Sequence, residues 1–319
     1  MKADAIIGYS GFVGGNLLRQ HDFAGQFNSR NISDSAGAAF DTLVCAAAPG
    51  SMFQANALPE QDLQQIEALC RNIAGIRARR FVLISSIAVL ANFAGEDDES
   101  TEAFQTELAY GRHRRRLETF CAEHFDNTLI LRLPALFGLG LKKNFLFDLL
   151  NPVPSMLSAA KMEQALSVVS EKSAAALRQV YSLNDQNGMF ALDRTALRQS
   201  GAQASIEESL GQHALTAVQF TNPDSMFQYY GVDRLWEDIE AASAEGIRVL
   251  HLATEPVAAA QIHLAVTGRD MPHTDARLHR EDMRTLHAGL RGRTGPYLED
   301  AQQVMARVTA FADAQRGAA

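Results

Sequence analysis

Along the first half of the chain, short apolar runs alternate with stretches in which apolar residues recur every three or four positions. Ala5-Ile6-Ile7 predicts a strand ending at Gly8, and Phe12 to Arg19 has helical spacing. Thr42 to Ala46 predicts a second strong strand, closed by the turn signal Pro49-Gly50. Glu60 to Ile76 is helical in pattern. Arg80 to Ile84 is continuously apolar after its first residue, as in a strand buried on both faces. Thr106 to Glu123 predicts a helix with a basic middle, and Asn127 to Leu133 a strand stopped by Pro134. Strands alternating with helices predict an α/β fold: a doubly wound parallel sheet covered on both faces.

The second half is more mixed. Leu141 to Leu150 is apolar and bounded by Asn151-Pro152 and Pro154. Gly188 to Leu192, Ala217 to Thr221 and Arg248 to Ala253 are strand-like, while Leu235 to Ala244 and Ala301 to Ala314 are helical. These pieces predict a smaller mixed C-terminal lobe. No repeat and no Gly/Ser/Pro-rich linker separates the halves.

Composition narrows the classes. The chain has 319 residues, enough for one large domain or two ordinary ones. With 47% apolar and 21% charged residues it can bury a substantial core, which excludes a largely disordered chain, a collagen-like repeat and a coiled coil. A net charge of −8 argues against a nucleic-acid partner held through phosphates. Met1-Lys2-Ala3-Asp4 leads into a short strand with no long apolar stretch behind it, so no secretory signal is expected. The most apolar window, Phe81 to Gly95, is too short to span a bilayer, so no membrane association is expected. Cys45, Cys70 and Cys121 form no CxxC pair and read as free thiols in a reducing compartment, with cytoplasm the expected location.

Candidate chemistry begins directly after the first strand. Gly8, Gly11 and Gly14 stand at i, i+3 and i+6 in Gly8-Tyr9-Ser10-Gly11-Phe12-Val13-Gly14. A strand, a glycine turn and a helix N-terminus aim backbone N–H groups at a pyrophosphate, so Gly8, Gly11, Phe12, Val13 and Gly14 are the candidate dinucleotide cradle of a Rossmann-like domain. A nucleophile elbow, G-x-S-x-G, would need glycine where Phe12 stands, so Ser10 is a poor hydrolase candidate. About twenty positions past the first glycine, where an acidic residue would hold the ribose of NAD, the chain reads Phe27-Asn28-Ser29-Arg30. Ser29 and Arg30 suit a 2′-phosphate, which favours NADP over NAD. From there to Asp41 only about ten residues intervene, close to the minimum for a crossover with any helix, so any further strand there is abbreviated or missing. His273, His279 and His287 lie among Asp275, Glu281 and Asp282 without metal-ligand spacing, and no metal is expected.

Several segments, in order, resemble the extended short-chain dehydrogenase/reductases, the nucleotide-sugar epimerase/dehydratase group, over most of the chain. The glycine loop is similar to the family's cofactor loop. Cys45-Ala46-Ala47-Ala48 resembles the alanine-rich end of its fourth strand, placing Ala46 and Ala47 at the cofactor. Ser85-Ser86-Ile87-Ala88-Val89 resembles the segment carrying the catalytic hydroxyl, and alignment on Val89 selects Ser86. Tyr110-Gly111-Arg112-His113-Arg114 falls where the family has Tyr-x-x-x-Lys. Arg132-Leu133-Pro134-Ala135-Leu136-Phe137-Gly138 resembles the strand and turn flanking the nicotinamide, with Pro134 at the cofactor, and Phe227 to Leu235 resembles a substrate-domain segment.

The resemblance implies an NAD(P)-dependent oxidoreductase or epimerase acting on a nucleotide-activated sugar; helices flanking such sheets often make homodimers, and the sequence itself leaves the oligomeric state open. Tyr110 would be the general acid or base, Ser86 would orient the substrate oxygen, and a cation one turn after the tyrosine would favour the phenolate and hold the nicotinamide ribose. Here that cation is Arg114, which keeps the charge but will not release a proton. Lys143 and Asn144 fall in a region that faces the sugar nucleotide in the family. The implied division is 1–140 with about 186–195 as the dinucleotide-binding domain, and 141–185 with 196–319 as the substrate-binding lobe. Arg114 and the abbreviated or missing strand also suit an alternative: a catalytically altered dinucleotide-binding sensor or partner protein on the same fold.

Overall fold

A computed structural model of the chain describes residues 3–185 and 187–317. Its central sheet has six parallel strands: β1 (Ala5–Ile7), β2 (Gly25–Phe27), β3 (Ala39–Cys45), β4 (Arg77–Ser86), β5 (Thr128–Leu133) and the strand Val249–His251. They lie in the order β2, β1, β3, β4, β5, 249–251. The chain steps outward from β1 to β2, then returns past β1 to β3 and continues the other way. The strand order therefore reverses between β1 and β3, and the loops leaving their carboxyl ends flank a crevice.

Successive residues of a strand face opposite sides, and here both sides are apolar. Ile6, Val44, Val82, Leu129 and Leu131 pack on one face with Leu17, Ile239 and Leu250. Ala5, Ile7, Leu43, Phe81, Leu83 and Ile130 pack on the other, against Ile66, Ile73, Leu117 and Cys121. Those last four belong to α3 (Pro59–Ala74) and α4 (Ala109–His124); the shorter α1 (Phe12–Leu17) and α2 (Met52–Ala57) precede them. The further strand is indeed absent: β2 is the sheet edge, and its path to β3 carries a single 3₁₀ turn, Ile32–Ser35.

Two expectations change. Ala217–Phe220 is a 3₁₀ turn rather than a strand, because Gln219 N and Thr221 N donate back three residues, to Thr216 O and Val218 O. Met189–Leu192 is a strand but does not join the parallel sheet. It pairs antiparallel with Met156–Leu157 and Tyr181–Asn184, and the sixth sheet position goes to Val249–His251. Gln186, where the expected segment began, lies outside the described residues, as do Met1 and Lys2.

Contacts divide the chain into two compact units. The first comprises Met1–Leu141, Met226–Val257 and Arg280–Phe311 and holds the parallel sheet; the second comprises Lys142–Ser225, Ala258–His279 and Ala312–Ala319. The second unit has its own core of Val153, Leu157, Leu177, Leu197, Ile206 and Leu210. The helices Ala159–Val168 and Glu171–Val180 there start on Ser158 and Ser170, whose hydroxyls accept from the first turn. No helix among the described residues is long and apolar enough to cross a membrane.

Candidate active site

The glycine loop leaves β1 at the strand-order reversal. Gly8 has φ +91°, and a Cβ there would lie 2.5 Å from Ala46 O, so the β1 and β3 loops touch backbone to backbone. A Cβ on Gly14 would lie 2.2 Å from Gly8 O. Gly14 thus lets α1 press onto the loop that precedes it. Gly11 is the exposed N-cap of α1 and supplies no side-chain acceptor. The first N–H groups of a helix have no partner within it, and this helix opens toward solvent without a polar side chain over it. Phe12 and Val13 are half-buried in its first turn. That cradle fits a pyrophosphate. At the end of β2, Ser29 and Arg30 are exposed, and Arg30 forms no ion pair among the described residues.

Ser85 and Ser86 end β4 and diverge. The Ser85 hydroxyl is buried and donates to Glu118 at 2.6 Å. The half-buried Ser86 hydroxyl accepts from Ala88 N at 3.2 Å and lies close enough to the Tyr110 phenol to favour its ionised form. Of the two serines, Ser86 is the one beside Tyr110, and Ser85 faces Glu118. Tyr110 is brought there by close packing of α4: a Cβ on Gly111 would stand 1.9 Å from Ala88 O. Leu108 cannot cap α4, and Asn56 Oδ1 of α2 takes the Tyr110 N–H instead, at 2.9 Å.

Arg114 lies one turn further and stacks its guanidinium 4.0 Å from the centre of the Tyr110 ring. It is 2% exposed. One terminal nitrogen donates to Asp62 Oδ2 of α3, the other to Pro49 O in the loop after β3. His113 Nδ1 meets the same Asp62 oxygen at 2.8 Å. Arg114 Nε is buried with no hydrogen-bond partner. The expected cation is therefore beside Tyr110, but as the buried partner of a carboxylate rather than an open hook for a ribose. Burial raises the Tyr110 pKa; Arg114 and the Ser86 hydroxyl pull it down, Asp62 pushes it up, and burial prevails.

A second polar group lies beneath. Ser85, Arg132 and His251 are in register across β4, β5 and the strand Val249–His251. Glu118, fully buried on α4, accepts from Ser85, from Arg132 Nε at 3.0 Å and NH2 at 2.7 Å, and from Arg115 at 2.9 Å. Arg132 NH1 reaches His251 Nε2 at 3.1 Å, and His251 Nδ1 lies 2.8 Å from Arg284 O. A ring that donates from Nδ1 to that carbonyl accepts at Nε2 from Arg132, which makes it neutral; burial lowers its pKa accordingly. Glu99 takes the His251 N–H at 2.7 Å, the Thr285 hydroxyl at 2.6 Å and the Leu286 N–H at 2.7 Å. Sequence reading missed Asp62, Glu118, His251 and Glu99. Glu118 alone left a signal, an acidic residue between Leu117 and Cys121 on the apolar stripe of α4.

The remaining candidates fall as follows. Ala46 and Ala47 are half-buried after β3, and Pro134 is buried between β5 and Ala135–Phe137. Lys143 is exposed, and Asn144 caps the helix Phe145–Leu150, accepting from Phe147 N at 3.1 Å; both lie in the second compact unit. The three cysteines are free.

No protein-family model and no curated protein matches the sequence. Solved structures do match in fold. MoeE5 in complex with UDP-glucose and NAD superposes with a TM-score of 0.58 at 14% identity, covering 99% of this chain and 100% of that one. The dTDP-4-dehydrorhamnose reductase of Bacillus anthracis in complex with NADP gives 0.59 at 13% identity, covering 97% and 98%. The UDP-N-acetylglucosamine 4-epimerase of Methanobrevibacter ruminantium, in complex with UDP-N-acetylmuramic acid, gives 0.60 at 11% identity, covering 98% and 99%. The chain shares the fold of these three proteins over nearly its full length. Within that fold the chain carries the glycine loop after β1, Ser86 at the end of β4 and Tyr110 with the clamped Arg114 at the start of α4.

Proposed function

We propose that the protein is an NAD(P)-dependent oxidoreductase or epimerase acting on a nucleotide-activated sugar. One observation carries the reading: the uncapped glycine cradle, Ala46–Ala47 and Ser86 stand at the carboxyl ends of three adjacent strands, β1, β3 and β4, beside the strand-order reversal, and Tyr110 in the first turn of α4 is next to Ser86. Three full-length fold neighbours with a nicotinamide dinucleotide or a nucleotide sugar bound support it.

Gly8, Gly11, Phe12, Val13 and Gly14 would hold the pyrophosphate, with Ala46, Ala47 and Pro134 beside the rest of the dinucleotide. Ser29 and Arg30 would read a 2′-phosphate, which favours NADP. When bound, the dinucleotide supplies or accepts a hydride. Ser86 would hold the substrate oxygen by a hydrogen bond, and Tyr110 would move the proton at that same oxygen. Lys143 and Asn144 would contact the sugar nucleotide.

The test is turnover of NADPH with a panel of dTDP- and UDP-linked sugars and keto-sugars, with Tyr110→Phe as control. The reading expects turnover with at least one sugar, and a loss of about 10²–10⁴-fold in Tyr110→Phe with dinucleotide binding intact. Dinucleotide binding without turnover on any sugar would overturn it in favour of a dinucleotide sensor.

A further inference from the structure

We infer that Asp62 helps keep Tyr110 a proton donor: by compensating Arg114 it removes part of the pull that would favour the phenolate, so the resting site is set to protonate the oxygen of a carbonyl substrate. This rests on the dinucleotide-linked reading proposed above and narrows its substrate class to ketones and aldehydes.

The geometry carries the argument. A tyrosine that starts an oxidation must be a phenolate, and a phenolate at neutral pH needs an uncompensated cation nearby. Arg114 is the cation nearest the ring, at 4.0 Å. Its two terminal nitrogens are committed, one to the Asp62 carboxylate and one to Pro49 O. Cation and carboxylate are both buried, 2% and 4% exposed, so water does not screen the compensation. The groups facing Tyr110 come from four elements: Arg114 and, through Asp62, His113 on α4; Asp62 on α3; Ser86 on β4; and Asn56 on α2, at the backbone. Ser86 is neutral and Asn56 is neutral, so neither replaces the missing charge. Desolvation of the phenol acts in the same sense and is the larger cause, and Asp62 weakens the Arg114 pull that opposes it.

In a reduction, the carbonyl carbon would gain its hydride from a bound reduced dinucleotide, which would leave oxidised. The carbonyl oxygen receives the C=O electron pair and the Tyr110 phenolic proton. The phenolate left behind recovers a proton from water. Arg114 cannot relay that proton, since a guanidinium does not release one.

The test reads Tyr110 ionisation directly and needs no substrate. The ultraviolet difference spectrum of wild type minus Tyr110→Phe is followed from pH 6 to 11, with and without NADPH. The inference expects no phenolate signal from Tyr110 below pH ~10. In Asp62→Asn, where the Arg114 charge is unmasked, the signal should move down by about one pH unit or more. A wild-type phenolate at pH 8.5 or below overturns the inference, and so does a folded Asp62→Asn protein whose Tyr110 titrates no lower than wild type. If Asp62→Asn does not fold, the wild-type titration alone decides. Calorimetry with NADPH separates the two readings: absent binding overturns the proposed function, whereas early ionisation with binding intact overturns only this inference.

Discussion

Gly111→Ala is the perturbation whose sign the structure fixes most sharply. In an ordinary helix, replacing glycine by alanine stabilises by about 0.5–1 kcal/mol. Here the new Cβ would stand 1.9 Å from Ala88 O and 2.8 Å from Gln105 Cγ. An ordinary C···O contact is ~3.3 Å, so α4 and the turn after β4 must separate by roughly 1.4 Å. Neither side yields easily, because α4 is tied by Glu118 to Arg132 and by Arg114 to Asp62. Overpacking of this kind costs about 1–3 kcal/mol and outweighs the helix gain. The expected result is a lower Tm, by roughly 2–4 °C per kcal/mol for a domain of this size. Displacing Tyr110 from Ser86 by about 1 Å should also lower turnover about 10²-fold. Thermal unfolding of the two proteins under one buffer condition measures the first effect. A variant as stable as wild type, or more so, would refute the close approach of α4 to Ala88.

Other outcomes follow from single residues. Glu118→Leu strands Arg132 inside the sheet's end and should cost about 3–5 kcal/mol in urea unfolding; a loss below ~1 kcal/mol would show that Arg132 is not sealed there. Arg30→Ala should weaken NADPH about tenfold, some 1.4 kcal/mol, and leave NADH unchanged; equal effects on both would remove Arg30 from the 2′-phosphate. Burial pushes the Asp148 carboxyl from 3.8 up to about 7 against the pull of Arg194. The folded state then binds this proton more tightly than the unfolded one, so its contribution is full below pH 4 and falls away as pH rises toward 7. Asp148→Asn should therefore gain Tm over wild type at pH 8 more than at pH 5, and a constant difference would contradict the burial. Cys45, whose thiol burial pushes up to about 12, should resist iodoacetamide in the folded protein at pH 8, and rapid alkylation there would contradict its enclosure.

Local signals made the fold legible. The glycine loop announced itself because its spacing, the preceding strand and the following helix are contiguous. Ser86 and Tyr110 stand on short motifs on either side of one loop, which let the sequence offer them together as candidates. The strand Met189–Leu192 was visible but misplaced, since apolar pattern reports a strand without naming its partner. Ala217–Phe220 misled because alternation over five residues suits a 3₁₀ turn as well as a strand. Asp62 and Glu99 lie 52 residues before Arg114 and 152 before His251. Pairings over such separations depend on how layers pack, and nothing in the intervening residues encodes them locally.

The central claim, that this sheet's crevice takes a nicotinamide dinucleotide, is tested most directly by calorimetric titration of the full chain with NADPH and NADH. The account predicts saturable one-to-one binding, tighter for NADPH, with a stabilisation of about 2.7 kcal/mol when ligand stands at a hundred times its Kd. No heat and no thermal stabilisation with either dinucleotide would contradict it, leaving the glycine loop as architecture alone.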